Sequence, residues 1–348
     1  MAEKLNEDDA VATMRGAIFG FSITRAIAVA AELNIADLLA GGPRTPTELA
    51  KESGVLQRPL YRMLRALAGE GIFEEKDDGR FALSPLAELL RADHPQSLRD
   101  WAIYVADLPY RSSMDMLHSL KTGESAFRKT FGTSVFDYLA QHPKYATKLF
   151  RAMSSISAAR IAGLLGAYDF SAAKRLVDVG GAQGLMVASI ARQYPSVRCT
   201  CFDVPAAAAG ALKTFEDRGV ADRCDFIGGD FFEAVPAGAE VYLLSAVLHD
   251  WGNEHCLQIL RNCRHVMPTH GKLLVIDIVM SDAKNVPDTY RNCLDLATLT
   301  QTEGGTERTE SEFGTLLANA GFTLRRVIPT NAPQWIIEAL PAQPPEQP

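Results

Sequence analysis

Apolar residues recur at helical spacing through the first third of the chain. Met14, Ile18, Phe21, Ile27, Ala31, Leu33 and Leu38 mark one helical stretch over residues 10–40. A second helix, Pro59 to Gly69, carries Leu60, Met63, Leu64 and Leu67 on one face. Between them Thr45-Pro-Thr-Glu caps a short helix that stops at Gly54. Ile72-Phe73 and Phe81-Ala-Leu flank an Asp-Gly turn and read as a hairpin, so the front of the chain has a winged-helix pattern. Residues 85–165 stay mostly helical, ending in a helix near Ser154 to Tyr168. From Lys174 the pattern changes to short apolar runs alternating with helices. Strands are expected at 175–179, 198–203, 224–228, 241–245 and 272–279, which is the signature of a mainly parallel, doubly wound α/β sheet. Two further runs, 323–327 and 335–339, follow the last helix (310–320) with no helix between them and suit a closing antiparallel hairpin.

A chain of 348 residues can bury two cores. The formal charge of −7 and the lack of a Lys/Arg block argue against nucleic acid. Arg58, Arg62 and Arg65 lie where a winged helix would read DNA, but the wing, Glu74-Glu-Lys-Asp-Asp-Gly-Arg, is net acidic and would repel phosphates. The apolar stretch over 13–40 is better explained as a surface packed on a second subunit. Arg25, Glu32 and Asp37 interrupt Ala17 to Leu39, which therefore reads as an amphipathic helix rather than a membrane span. The acidic N-terminus is unlike a signal peptide. Six cysteines fall in the second half without a CxxC pair or partnered histidines; they are expected to be reduced thiols in a cytoplasmic protein, with no metal.

The candidate chemistry begins at Val179-Gly180-Gly-Ala-Gln-Gly184, a glycine-rich turn between a strand and a helix. The next strand ends in Asp203, suited to a ribose diol. A third ends in Gly229-Asp230-Phe231, where an acid can accept the amino hydrogens of adenine and an aromatic ring can pack on it. Asp178, Asp203, Asp230 and Asp250 make the pocket acidic. That favours a sulfonium cofactor over the pyrophosphate of NAD, which needs amides and a helix N-terminus facing anions. An NAD(P)-dependent reductase is disfavoured by the Gly229-Asp230-Phe231 signature and the terminal hairpin. His249 follows the apolar run Val241–Leu248, at the carboxyl end of a strand, where ligands sit in open α/β sheets. An imidazole near pKa 6.5 so placed can act as a general base.

Val177-Asp-Val-Gly-Gly, Gly229-Asp-Phe, Leu248-His-Asp-Trp251 and Gly304-Gly-Thr-Glu-Arg-Thr-Glu-Ser-Glu-Phe resemble the caffeate/hydroxyindole-type O-methyltransferases, which comprise plant phenolic and bacterial natural-product enzymes. The likeness covers essentially the whole chain. It implies a class I methyltransferase Rossmann-like sheet, an N-terminal winged-helix domain that forms a homodimer, and S-adenosylmethionine as methyl donor. The implied domains are 1–110 for dimerisation, 111–165 as a helical connector contributing to the acceptor pocket, 166–340 for cofactor binding and 341–348 as a disordered tail. Gly180 would approach the methionine end of the donor, Asp203 the ribose, and Asp230 with Phe231 and Gly229 the adenine, with Trp251 packing alongside. Ser245 stands where the family often has a lysine, Ala182 where a third glycine is usual, and Met114 where a tryptophan is common. His249 would be the general base, held by Asp277 and Glu307; Glu310 or Glu312 fit better as acids at a helix start. Phe150, Met153, Met280, Leu296 and Leu299 are expected to line a pocket for an aromatic hydroxyl. Two other readings remain open: a relative with N-methylation or non-transfer chemistry, and a winged-helix regulator with a vestigial cofactor domain.

Overall fold

The computed structural model describes residues 6–284 and 286–342. The last strand runs to Pro341, the first residue of the tail expected over 341–348; residues 343–348 lie outside the described residues. The chain divides into two compact units. One runs to Arg111 and includes Leu139–Ile156; the other comprises Ser112–Tyr138 and everything from Ser157.

In the first unit, the helical stretch expected over 10–40 is three helices, Glu7–Ile18, Gly20–Glu32 and Ile35–Leu39. Asn34, at φ 56°, turns the chain through the left-handed region and separates the last two. The helix Pro46–Ser53 carries a full capping box, Thr45 with Glu48, and ends at left-handed Gly54. The next helix starts at Gln57, two residues before Pro59, since a proline in the first turn removes no needed hydrogen bond. Strands β1 (Phe73–Glu75) and β2 (Phe81–Leu83) pair antiparallel, with Phe73 and Phe81 in the core beside Leu60, Leu64 and Leu67. Their connection is longer than a two-residue Asp-Gly turn: Lys76 N–H donates to Arg80 O, and Gly79 takes the left-handed position. Val11, Met14 and Ile18 on the first helix, Phe19 at the junction and Phe21 on the second are between 44% and 63% exposed. Among the described residues no single helix is long and apolar enough to cross a membrane; only the first two helices, bent at 46°, have the length and composition together.

The second unit is an eight-stranded mixed sheet. Its strands are β3 (Arg175–Val179), β4 (Arg198–Asp203), β5 (Cys224–Gly228), β6 (Val241–Ser245), β7 (Lys272–Met280), the short β8 (Arg308–Thr309), β9 (Phe322–Ile328) and β10 (Gln334–Pro341). The order β5-β4-β3-β6-β7-β10-β9 makes the first five parallel; β10 is antiparallel to both neighbours, and β8 pairs with β7. Alternate residues feed two cores. Leu273, Val275 and Val279 join the layer of helices Asn253–Val266 and Glu310–Asn319. Leu274 and Ile276 join the layer of helices Leu185–Gln193 and Ala208–Asp217 and the end of the helix Pro143–Ala167. A strand buried on both faces must be apolar at nearly every position, as β6 is. Each such side chain contributes roughly 1.5–3 kcal/mol of burial. Cys199 and Cys201 share one of these cores, and all the cysteines except Cys293 are buried; the six thiols are free.

Strand order reverses at β3, so the turn after β3 and the loop after β6 bound a crevice at the carboxyl edge. The β3 turn holds Gly180 at φ 79°, Ala182 at 47° and Gly184 at 69°. Ala182 would fit without strain at negative φ; it takes the left-handed conformation instead. Its N–H is committed to Asp203 Oδ2 at 2.7 Å, which fixes the turn. The side chain of Ala182 is exposed, so its methyl packs little and costs backbone strain. Ala182→Gly should therefore stabilise this unit by about 0.5–1 kcal/mol, read as an upward shift in thermal midpoint. A downward shift would show that the turn relaxes.

Candidate functional site

The glycines of the crevice are required by contact as well as by φ. A Cβ on Gly180 would lie 2.7 Å from Val247 Cγ2 and 3.8 Å from the Phe231 ring. One on Gly181 would lie 2.7 Å from Cys201 Sγ, and one on Gly229 2.5 Å from the Phe202 ring. Both Gly180 and Gly181 N–H groups donate to Phe202 O, tying the turn to the end of β4. Asp203 closes that strand. Burial pushes its carboxyl up, while the Ala182 and Val204 N–H groups, each 2.7 Å away, pull it down. Gly229 N–H donates to Asp203 O, so the third strand end sits beside the second. Asp230 Oδ1 accepts from Phe232 N–H at 2.8 Å. Phe231, Phe232 and Trp251 meet edge to face, and Asn262 holds the Phe231 and Phe232 carbonyls. Gly180, Asp203, Gly229, Asp230, Phe231 and Trp251 are thus linked by direct contacts. Ser245 ends β6, its hydroxyl buried without a partner.

His249 lies in the 3-10 turn Leu248–Asp250. Its Nδ1 is 2.8 Å from Glu307 Oε1, and its Nε2 is 3.8 Å from Asp250 Oδ1. Glu307 is 4% exposed and Asp277 1%. Asp277 is not at a strand end, as β7 continues to Met280, but it clears the end of β6: Ser245, the last residue of β6, pairs with Ile276. Of the two expected partners only Glu307 bonds the imidazole. Both Asp277 oxygens are buried with no hydrogen-bond partner, so Asp277 acts through its charge. Burial pushes the Asp277 carboxyl up to about 7, and Glu307 and Asp250 push the same way against His249. Burial pulls His249 down, but Asp250, Asp277 and Glu307 outweigh it and hold the imidazole at about 10. The imidazole therefore holds its proton far more strongly than the ordinary imidazole expected from the sequence.

One loop builds this arrangement, and sequence reasoning found only Glu307 in it. Thr306 N–H donates to His249 O at 2.9 Å. Arg308, 2% exposed, sends Nη1 to Leu248 O and Nη2 to Trp251 O, both at 2.9 Å, and also bonds Asn253 Oδ1. Asp295 Oδ1 accepts the Glu307 N–H at 2.9 Å. A Cβ on Gly305 would lie 2.5 Å from His249 O, so the loop can press on the turn only with glycine there. The two consecutive glycines before Glu307 were the available signal; nothing in the sequence marks Arg308 as buried. Glu312, with Thr309, forms the capping box of the last helix, which leaves Glu307 to the histidine.

The expected lining residues are less concentrated. Met280 is half-buried at the end of β7. On the helix Thr289–Gln301, Leu299 is half-buried and Leu296 is exposed. Phe150 and Met153 belong to the other compact unit, Phe150 exposed and Met153 half-buried.

The crevice fits a sulfonium nucleoside. Bare backbone at Gly180 and Gly181, a carboxylate with spare lone pairs at Asp203, an aromatic wall at Phe231 and an orphaned buried oxygen on Asp178 offer surface and negative charge, with no phosphate cradle.

Comparison with known proteins gives the same answer. Residues 16–93 match an O-methyltransferase dimerisation domain and residues 111–323 an O-methyltransferase domain. The phenazine O-methyltransferase of Lysobacter antibioticus is 43% identical over 93% of this chain and 94% of its own. The structure of the mitomycin 7-O-methyltransferase MmcR superposes with a TM-score of 0.87 at 37% identity, covering 96% of this chain and 98% of that one. The structure of NcsB1, from neocarzinostatin biosynthesis, holds S-adenosyl-L-homocysteine and 1,4-dihydroxy-2-naphthoic acid. It matches with a TM-score of 0.77 at 32% identity, covering 92% of this chain and 96% of that one. A family model spanning most of the chain, relatives above 30% identity over nearly its full length and a crevice built for the donor lead to one conclusion: the chain belongs to the S-adenosylmethionine-dependent O-methyltransferases of natural-product biosynthesis.

Proposed function

We propose that this enzyme methylates a phenolic hydroxyl of an aromatic natural product, with His249 as the general base that takes the phenol proton. The bond from Glu307 to His249 Nδ1 carries the reading, because it leaves Nε2 as the nitrogen that receives a proton. The donor supplies an electrophilic methyl group on a sulfonium. Gly180 would lie along its methionine end, Asp203 would hold the ribose hydroxyls, and Asp230 with Phe231 the adenine, beside Gly229, Ser245 and Trp251. Met280 and Leu299 supply apolar wall for the acceptor ring. The exposed row from Val11 to Phe21 supports a homodimer formed through the N-terminal unit.

A base held at about 10 matches a phenol of about 10, so the proton moves between groups of nearly equal affinity. Asp250, Asp277 and Glu307 then stabilise the imidazolium that results. In the free enzyme these same carboxylates keep His249 protonated at neutral pH. A positive charge entering the crevice competes with that proton for the carboxylates and releases the ring as a base.

The reading is tested by incubating the protein with S-adenosylmethionine and a panel of hydroxylated naphthoates, phenazines and quinones, scoring a 14-dalton mass gain. His249→Ala should cut transfer by about 10²–10⁴-fold while leaving donor affinity unchanged by calorimetry. Full activity in that variant would remove His249 from the chemistry. The raised proton affinity also sets a pH signature. The value of kcat/KM should climb through the neutral range toward pH 10, because the neutral imidazole is the active form. In Glu307→Gln one carboxylate that raises the imidazole pKa is gone, so the climb should end at lower pH and at a lower plateau. An unmoved profile would mean that the rise belongs to the phenol alone.

A further inference from the structure

Outside the histidine cluster, one group of buried polar atoms has no partner and no role yet. Arg160 lies on the helix Pro143–Ala167, four residues before Leu164, which is fully buried in the core under the sheet. Arg160 therefore projects one turn beyond that core, on the side of the strands' carboxyl ends. Its Nη2 bonds Ser157 Oγ at 3.0 Å, and its Nε is buried with no partner. On the same face stand Asp178 and Ser245, each two residues past a core leucine (Leu176 and Leu243), with Asp178 paired to Leu243 across β3 and β6. Asp178 Oδ1 and Ser245 Oγ are also buried without partners. Burial pulls the guanidinium down, and the charges of Asp277 and Asp178 pull it back up. Arg160 thus sits within electrostatic reach of two carboxylates yet bonds neither. Arg160 Nε and Ser245 Oγ are thus unused donors and Asp178 Oδ1 an unused acceptor, with Asp178 Oδ2 2.9 Å from the Cβ position of Gly181.

A ligand group that answers this pattern must carry both charges on neighbouring atoms, as an α-amino acid does. We propose that Arg160 holds the α-carboxylate at the amino-acid end of the methyl donor, with Ser245 Oγ as second donor and Asp178 receiving the α-ammonium. A planar guanidinium suits a carboxylate because it donates in a matched pair. An acidic substituent of the acceptor is the competing occupant. Asp277, in the histidine cluster, also acts on the guanidinium, but the unpartnered Asp178 and Ser245 lie on the Arg160 side of the sheet, beside the glycine crevice, and favour the donor. The assignment rests on the donor occupying the glycine crevice.

The test compares two ligands. S-Adenosylhomocysteine carries the amino-acid end; 5′-deoxy-5′-methylthioadenosine has the same nucleoside and lacks it. Calorimetric titration of Arg160→Met should show S-adenosylhomocysteine weakened by about ten- to a hundredfold, with methylthioadenosine unchanged. Arg160→Lys should recover part of the loss and Ser245→Ala should show a smaller loss, again with the first ligand alone. Equal weakening of both ligands would make Arg160 a structural residue and overturn the proposal. No change in either would overturn it too, and would hand Arg160 to the acceptor. If the unaltered protein bound neither ligand, the donor reading itself would fail.

Discussion

Arg308 is buried within one residue of Glu307 and gives its donors to the Leu248 and Trp251 carbonyls and to Asn253. Those two carbonyls bracket His249 and Asp250, so the guanidinium fixes the turn from behind while Glu307 fixes the imidazole from the side. A buried cation without its hydrogen bonds is costly, often several kcal/mol, so loop and turn are stable only together. Glu307 immediately precedes the short strand β8, which Arg308 begins and which is anchored to β7, so the orientation of the imidazole is a property of the sheet rather than of a loose loop.

The electrostatics of the crevice follow from the same economy of solvent. Asp178 on β3 and Asp277 on β7 are both pushed to about 7 by burial. Arg160 opposes that rise in each of them, and His249 opposes it at Asp277. The site is therefore short of positive charge before any ligand arrives, which is the condition a cationic donor satisfies.

The sheet was legible because its strands are buried on both faces. Runs such as Val241-Tyr-Leu-Leu-Ser and Arg175-Leu-Val-Asp-Val could be read to the residue, with no partner needed to interpret them. The helix ends set by local chemistry were legible too, at Thr45 with Glu48 and at Gly54. What escaped was set by groups distant in sequence. Asn34 breaks a helix whose periodicity continues past it. Ala182 is left-handed because Asp203, on the next strand, holds its amide. At the site, the position of His249 could be read from the apolar run before it, but its raised proton affinity could not. That depends on Asp250, Asp277 and Glu307 converging from three segments, while the clamp by Arg308 leaves no trace in pattern or spacing.

The cysteines have a practical consequence. Cys199, Cys201, Cys224, Cys256 and Cys263 are sealed in the two cores of the sheet, and Cys293 alone is exposed, on the outer side of the helix Thr289–Gln301. Burial raises the thiol pKa of Cys201, Cys256 and Cys263, which further slows their reaction with electrophiles. A maleimide dye would therefore find a single address in the native molecule. That address lies on the same helix as Asp295, which anchors the Glu307 loop, so the unmodified chain already carries an attachment point for an optical reporter of that loop.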